Sequence, residues 1–335
     1  MMQPGAYIVY GCDPSYFTRM VEAALRYMRV PHETRPKCPR VRDRLEARAG
    51  THLIPVVETP EGWVVHDSTH IVQLLDARFP ARHVIPRTPR QKIACRLIDD
   101  LIDEWFVRAA LHLRWIDDEE AKACALKIAE DLARGEPREP AAEFIQTWGR
   151  KAMRVMDAGP EHQDGLRAEF ARFLTLCAGA LEPSGGFFGP RLSMADLTLL
   201  GAMKAHFAAD DYARAFVAGH APALLDWTDA AWNRTLDGEA FDPDDRLPEQ
   251  MDALLALFAG GYGRFLPANR AALDSGRKFA VFETADGQTL SVRARPSAEA
   301  ARQALAAEIA DLPGPERADV RGWLDEAGLL TLFED

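Results

Sequence analysis

The chain has 335 residues, of which 47% are hydrophobic, 27% charged and 9% aromatic; this is the balance of a globular protein of roughly two domains. It excludes a disordered, collagen-like or disulfide-scaffold protein, and no run approaches the roughly 18 apolar residues of a membrane span. The net charge is −11, yet residues 1–84 carry 11 Lys+Arg against 9 Asp+Glu, which leaves −13 on the remainder. So acidic a chain is a poor partner for nucleic acid, because neutralising phosphates needs clustered cations. The run Arg35, Lys37, Arg40, Arg42, Arg44 and Arg48 reads as a solvated helix face or as an attraction for a small anion. Five scattered cysteines with no C-x-x-C pair argue against a zinc site or a disulfide framework and for a reducing compartment. The first five residues have neither a basic segment nor an apolar signal core, so the cytoplasm is the expected location.

In chain order, residues 6–10 form an apolar strand closed by Gly11 and Pro14. Phe17, Met20, Val21, Ala24, Leu25 and Met28 then recur at helical spacing. Residues 30–34 suit a second strand, placed at an edge by Pro31. Val41, Leu45 and Ala49 mark a short helix ending at Gly50. Residues 56–58 and 63–65 read as two strands around a turn, and Ser68 opens a helix stopped by Pro80. The order is βαβ, then ββα.

From 86 to 260 the pattern is helical. Ile93, Leu97, Leu101, Trp105 and Ala109 step by four along one long helix, and further helices are expected over 122–133, 141–156, 166–181, 196–207, 221–233 and 248–258. Residues 260–267 read as a flexible joint or a docking turn. Beyond them, two strands flank Asp286-Gly287, a strong hairpin signal. Ser297 is placed to cap a helix, and a last helix covers 316–327. No Gly-rich phosphate loop, H-E-x-x-H or G-x-S-x-G is present.

Three local features carry chemistry. Ser15, after Gly11-Cys12-Asp13-Pro14, sits at a helix start, where N–H groups and the macrodipole favour an anion; it is equally a plain helix cap. Ile54-Pro55 precedes a strand, where a cis bond is an option. Asp67-Ser68 stands at a strand–helix junction, either as a cap or as a ligand for an amino-acid-like group.

Taken together, these features resemble the thioredoxin-like domain of the glutathione S-transferase superfamily. Leu53-Ile54-Pro55-Val56-Val57 resembles its glutathione-binding cis-proline loop, and Asp67-Ser68 its acidic-Ser pair. Downstream, residues 188–198 resemble the capping motif of its all-helical domain, with Ser193-x-x-Asp196 as a capping-box variant. The resemblance covers about residues 6–240. It implies an α/β thioredoxin-like (βαβ-ββα) domain over 1–83 and an all-α helical bundle over 86–260; residues 262–335 are left as a small α+β extension of ββαα order.

The same resemblance implies the following roles. Ser15 donates a hydrogen bond to the glutathione sulfur, with Cys12 and Tyr10 as alternatives. Ile54 pairs its backbone with the tripeptide across a cis Pro55, while Asp67 and Ser68 hold the γ-glutamyl end. His52 and the 35–48 arginines are weaker partners for the glycine carboxylate. The family's loop cation is Leu53 here, and Asp67 replaces a longer Glu. A second-substrate pocket is expected around Glu104, Trp105, His112, Arg114 and Trp115. The implied protein is a homodimeric glutathione transferase acting on a small electrophile, with no metal, membrane or nucleic-acid partner. A Cys12-based disulfide reductase and a non-catalytic binding protein are the alternatives.

Overall fold

The computed structural model describes residues 5–334. β1 (Tyr7–Gly11) and β2 (His32–Pro36) run parallel and are connected through α1 (Tyr16–Tyr27). After α2 (Pro39–Ala49) come antiparallel β3 (Val56–Glu58) and β4 (Val64–His66), and α3 (Ser68–Arg78) completes the unit. The sheet order is β2-β1-β3-β4, the thioredoxin-like arrangement. β2 starts two residues later than the composition suggests because Val30 belongs to the end of α1: its N–H donates to the Leu25 carbonyl and its side chain enters the core.

The helical region begins with α4 (Pro89–Asp100), a π-helical turn at Leu101–Trp105 and α5 (Val107–Trp115). The step-by-four pattern therefore does not make one regular helix. Steps of four drift about 40° each around an α-helix, and the wide turn takes up the drift, so that Ile93, Leu97, Leu101, Trp105 and Ala109 are all buried. Then follow α6 (Asp118–Leu132), α7 (Arg138–Val155), α8 (Gln163–Leu181) and α9 (Met194–Ala202), the last running into a π turn at Met203–Phe207. The Ser193–Asp196 capping box is formed as expected. α10 (Asp211–His220) is unanticipated; it buries only Ala213 and Val217 and so has little apolar signature. α11 (Ala223–Asn233) and α12 (Met251–Gly260) complete this part.

The segment read as a joint is helix α13 (Tyr262–Asp274), with Pro267 inside it. Tyr262, Phe265, Leu266, Asn269 and Ala272 are buried along one face, which outweighs the hydrogen bond that Pro267 cannot make. β5 (Phe279–Glu283) and β6 (Thr289–Arg293) form the expected antiparallel hairpin, with Gly287 at φ 83 in its turn. α14 (Pro296–Ala310) starts at Pro296 after an Arg295 cap, so Ser297 is not the cap; α15 (Gly314–Glu326) follows.

One apolar core runs from the sheet through the helices into this last part, where Val292, Leu305 and Leu324 are buried in it. Across the joint, Trp105 meets the rings of Tyr262, Phe265 and Phe282 at 6.2–6.3 Å. Arg90 reaches Asp319, Lys92 pairs with Glu308 at 3.4 Å and Arg295 with Glu104 at 3.1 Å. α4 is thus covered by α14 and α15. Among the described residues, no helix is long and apolar enough to cross a membrane.

Candidate functional site

Sheet register explains why three separate sequence features share one edge of the molecule. Val56 pairs with Tyr10 on β1 and with His66 on β4, and Gly11 pairs with Pro36 on β2. The residues just after Gly11, just before Val56 and just after His66 therefore emerge at the same end of the sheet. Ser15, Ile54-Pro55 and Asp67-Ser68 all lie on those exits. Two helices, α1 and α3, start there as well, so two sets of unpaired N–H groups and two positive dipole ends are available at this edge.

Gly11 closes β1 where α1 comes back over it: a Cβ there would lie 2.1 Å from the Thr18 hydroxyl. Ser15 is half-buried and its Oγ accepts the Thr18 N–H at 3.2 Å. The cap reading and the chemical reading are compatible, because capping uses a lone pair and leaves the hydroxyl proton free to donate. Cys12 is different. It is 4% exposed, and burial together with the nearby Asp131 carboxylate pushes its thiol up to about 12. A buried, protonated thiol is neither nucleophile nor redox group at neutral pH, which counts against the Cys12 alternative. Tyr10 is buried with Leu45 and Val56 beneath α2, while its strand neighbour Val9 faces the main core. Alternation along the strand turns the Tyr10 ring away from α1, so it is not placed to share the Ser15 role.

The Ile54–Pro55 bond is cis. The loop before it is held from below by Lys37, which is almost fully buried. Its Nζ donates to the carbonyls of His52 at 2.8 Å and Leu53 at 3.2 Å and pairs with Glu46 at 3.0 Å. Sequence reasoning counted Lys37 only as one charge in a basic run; its structural task depends on the register that brings Pro36 beside Gly11. His52 and Leu53 point outward and are exposed. Arg35 pairs with Glu33, and Arg48 pairs with Glu58, which leaves those arginines already engaged.

Asp67 sits at φ 73, ψ 117, a costly conformation for a non-glycine residue. Its Oδ1 caps α3 by accepting the His70 N–H at 3.2 Å, and the side chain is otherwise open to solvent. Ser68 is buried beside it, and Thr69 donates to Asp103 Oδ2 at 3.4 Å.

Of the expected second-substrate residues, Trp105, His112, Arg114 and Trp115 are buried and Glu104 is half-buried. Trp105 is enclosed by the C-terminal aromatics and donates Nε1 to Glu169 at 2.8 Å. His112 is fully buried with Nδ1 2.9 Å from the Ala158 carbonyl, and burial lowers its pKa. Trp115 fills the space against Gly149, where a Cβ would lie 2.3 Å from the indole. Glu104 is tied to Arg295. Arg114 bridges Asp210 at 2.6 Å, the Ala205 carbonyl at 2.5 Å and the Pro14 carbonyl at 2.8 Å. It braces the β1–α1 turn from the helical side, and Asp131 does the same by accepting the Asp13 N–H at 2.9 Å. A shallow cavity of about 280 Å³ opens beside this turn, lined by Asp13, Pro14, Lys127, Asp131, Lys204 and Asp210 among others. Nearby Glu120, Cys124 and Asp210 lie close together. Arg114 neutralises Asp210, and the thiol donates to Glu120 at 3.2 Å, so this group is already satisfied internally.

Residues 9–83 match the family model described as the glutathione S-transferase N-terminal domain. A search of curated proteins gave no match. Among solved structures, the chain is similar to a glutathione S-transferase from Rhodospirillum rubrum F11, with 17% identity and a TM-score of 0.46 over 74% of this chain and 99% of that one. It is also similar to rice GST1 in complex with glutathione, with 20% identity and a TM-score of 0.45 over 68% and 88% of the two chains. A glutathione S-transferase of Ceriporiopsis subvermispora in complex with glutathione aligns at 17% identity and a TM-score of 0.49 over 70% and 100%. The match to the glutathione S-transferase N-terminal domain, residues 9–83, thus spans the βαβ-ββα unit from within β1 to beyond α3.

Proposed function

We propose that the protein is a glutathione-dependent transferase that uses the sheet edge carrying Ser15, the Pro55 loop and Asp67-Ser68. The observation that carries this reading is the convergence of those three features beside the first turns of α1 and α3. Asp67 presents a carboxylate to the γ-glutamyl ammonium. Ser68 and the first N–H groups of α3 receive the adjoining carboxylate, as helix starts do. The Ile54 backbone pairs with the cysteinyl residue. The free Ser15 hydroxyl proton points its donor at the sulfur, which favours the thiolate over the thiol. The thiolate then forms a carbon–sulfur bond with an electrophilic carbon, whose leaving group departs with the bonding pair.

The second substrate belongs on the side of the β1–α1 turn, in the cavity bordered by Asp13, Lys127 and Lys204. Its charged walls favour a polar electrophile over a large aromatic one. A homodimer, implied by the resemblance, would use surfaces other than α4, which α14 and α15 cover. A cytoplasmic setting suits five free cysteines. One observation favours a non-catalytic binding protein instead: the position of the loop cation holds exposed Leu53, and Lys37 is committed to the loop backbone. Calorimetric titration with glutathione, followed by conjugation of an aryl halide, separates these readings. The transferase shows both, the binding protein only the first. Asp67→Asn should weaken glutathione about tenfold by removing one charge-assisted contact; unchanged affinity would remove Asp67 from the site.

A further inference from the structure

α5, α8, α12 and the β5–β6 hairpin border a second, half-open cavity of about 280 Å³, remote from the sheet edge and unused by the glutathione reading. Leu166, Leu257 and Leu290 give it apolar walls, and Arg108, Glu169 and Arg172 bring charge to it. Arg108 is 2% exposed. Its Nε donates to the Met156 carbonyl at 2.9 Å, its Nη2 to the Asp157 carbonyl at 3.0 Å, and its guanidinium lies 4.3 Å from the Trp105 ring centroid. Nη1 has no hydrogen-bond partner among the described residues, and no carboxylate lies within ion-pair distance of this arginine. Glu169 lines the same cavity. Its Oε1 accepts from Trp105 at 2.8 Å, and its Oε2 has no partner among the described residues. Burial lowers the Arg108 pKa to about 10 and raises that of Glu169.

A buried guanidinium and a half-buried carboxylate, each with one hydrogen-bonding atom unused and both lining a cavity with apolar walls, are the polar handles of a small-molecule site. We propose that this cavity binds a small carboxylic acid bearing a hydrogen-bond donor next to the carboxylate: an α-amino or α-hydroxy acid with a short aliphatic body. The carboxylate meets Arg108 Nη1, with Arg172 at the rim, and the adjacent donor meets Glu169 Oε2. The aliphatic part lies on the three leucines. Asp286 and Gln288 of the hairpin also line the cavity, so the ligand ties β5–β6 to α8. The proposal stands independently of the glutathione reading.

Four probes with one shared aliphatic body test it by calorimetry and thermal melting on the full chain. They are leucine, its α-hydroxy counterpart, the same acid without the α-substituent, and the amine without the carboxylate. Leucine or the hydroxy acid should bind and raise the melting temperature, and the other two should bind at least about tenfold more weakly. Ala168 is exposed on α8 and borders the cavity. Ala168→Phe should therefore fill the site and abolish binding while melting like the parent. Glu169→Gln keeps an oxygen for Trp105 and should cost leucine about tenfold. The proposal is overturned if none of the four binds at millimolar concentration, if the amine binds as well as leucine, or if Ala168→Phe binds as the parent does.

Discussion

Replacing Ser15 by alanine removes two things the structure separates. One is the oxygen that accepts the Thr18 N–H at 3.2 Å; loss of such a cap costs about 1 kcal/mol, or a melting shift of about 2 °C in a chain of this size. The other is the hydroxyl proton that the proposed function directs at the glutathione sulfur. A hydrogen bond to a charged acceptor contributes about 1.5–3 kcal/mol, which corresponds to raising the bound thiol pKa by about 1–2 units when the donor is lost. At neutral pH the thiolate fraction and kcat/KM should then fall by about one to two decades. Glutathione affinity should change little, because the proposed function holds the γ-glutamyl end at Asp67 and Ser68. The assay is the pH profile of aryl-halide conjugation, read beside the ultraviolet absorbance of the bound thiolate. Ser15→Asp supplies a control, since aspartate caps as well as serine but offers no proton; it should restore stability and not turnover. Ser15→Thr, with both functions, should restore both. If Ser15→Ala keeps the parental kcat/KM and pH profile, Ser15 is a cap and nothing more.

Three further outcomes follow from the same contacts. Cys12→Ala should leave turnover intact, and a maleimide should label half-buried Cys38 well before buried Cys12, Cys95, Cys124 and Cys177; rapid labelling of Cys12 would reverse its assignment as inert. Arg114→Met strands the buried Asp210 carboxylate and should destabilise by about 3–5 kcal/mol in urea unfolding, whereas Arg114→Met with Asp210→Asn should recover a large part. An additive double variant would show that the pair does not act as a unit. Burial raises Asp100 to about 7, against about 3.9 in an unfolded chain. The folded state therefore holds this proton more tightly, and its contribution is present in full below about pH 4 and is lost as pH rises through about 7. Asp100→Asn should flatten that part of the stability–pH curve, and identical slopes would place the titration elsewhere.

The N-terminal unit was legible because its signals are local. Alternating strands, Gly11, Pro55 and the Asp67-Ser68 junction each lie within a few residues of the structure they specify. The capping box at Ser193 was legible for the same reason. Trp105, His112 and Trp115 were misread because a polar–aromatic cluster looks alike in sequence whether it lines a pocket or fills a core. What decides is contact with Tyr262, Phe282 or Gly149, far away in the chain. α13 was hidden by Gly260, Gly261, Gly263 and Pro267, which read as breakers locally and are overridden by the buried face of Tyr262, Phe265 and Leu266. The bracing roles of Lys37 and Arg114 escaped for another reason. Each acts on backbone carbonyls, and a carbonyl leaves no mark in the residue pattern.

The covering of Trp105 by Tyr262, Phe265 and Phe282 has a temporal side. During synthesis the thioredoxin-like unit is complete once α3 emerges, but the indole at the centre of the helical region must wait for some 175 further residues. Until then a large aromatic surface on the π turn stays wet, together with Glu104, which has yet to meet Arg295. The nascent chain thus carries a sticky patch from the synthesis of Trp105 until that of Phe282, about half of its translation.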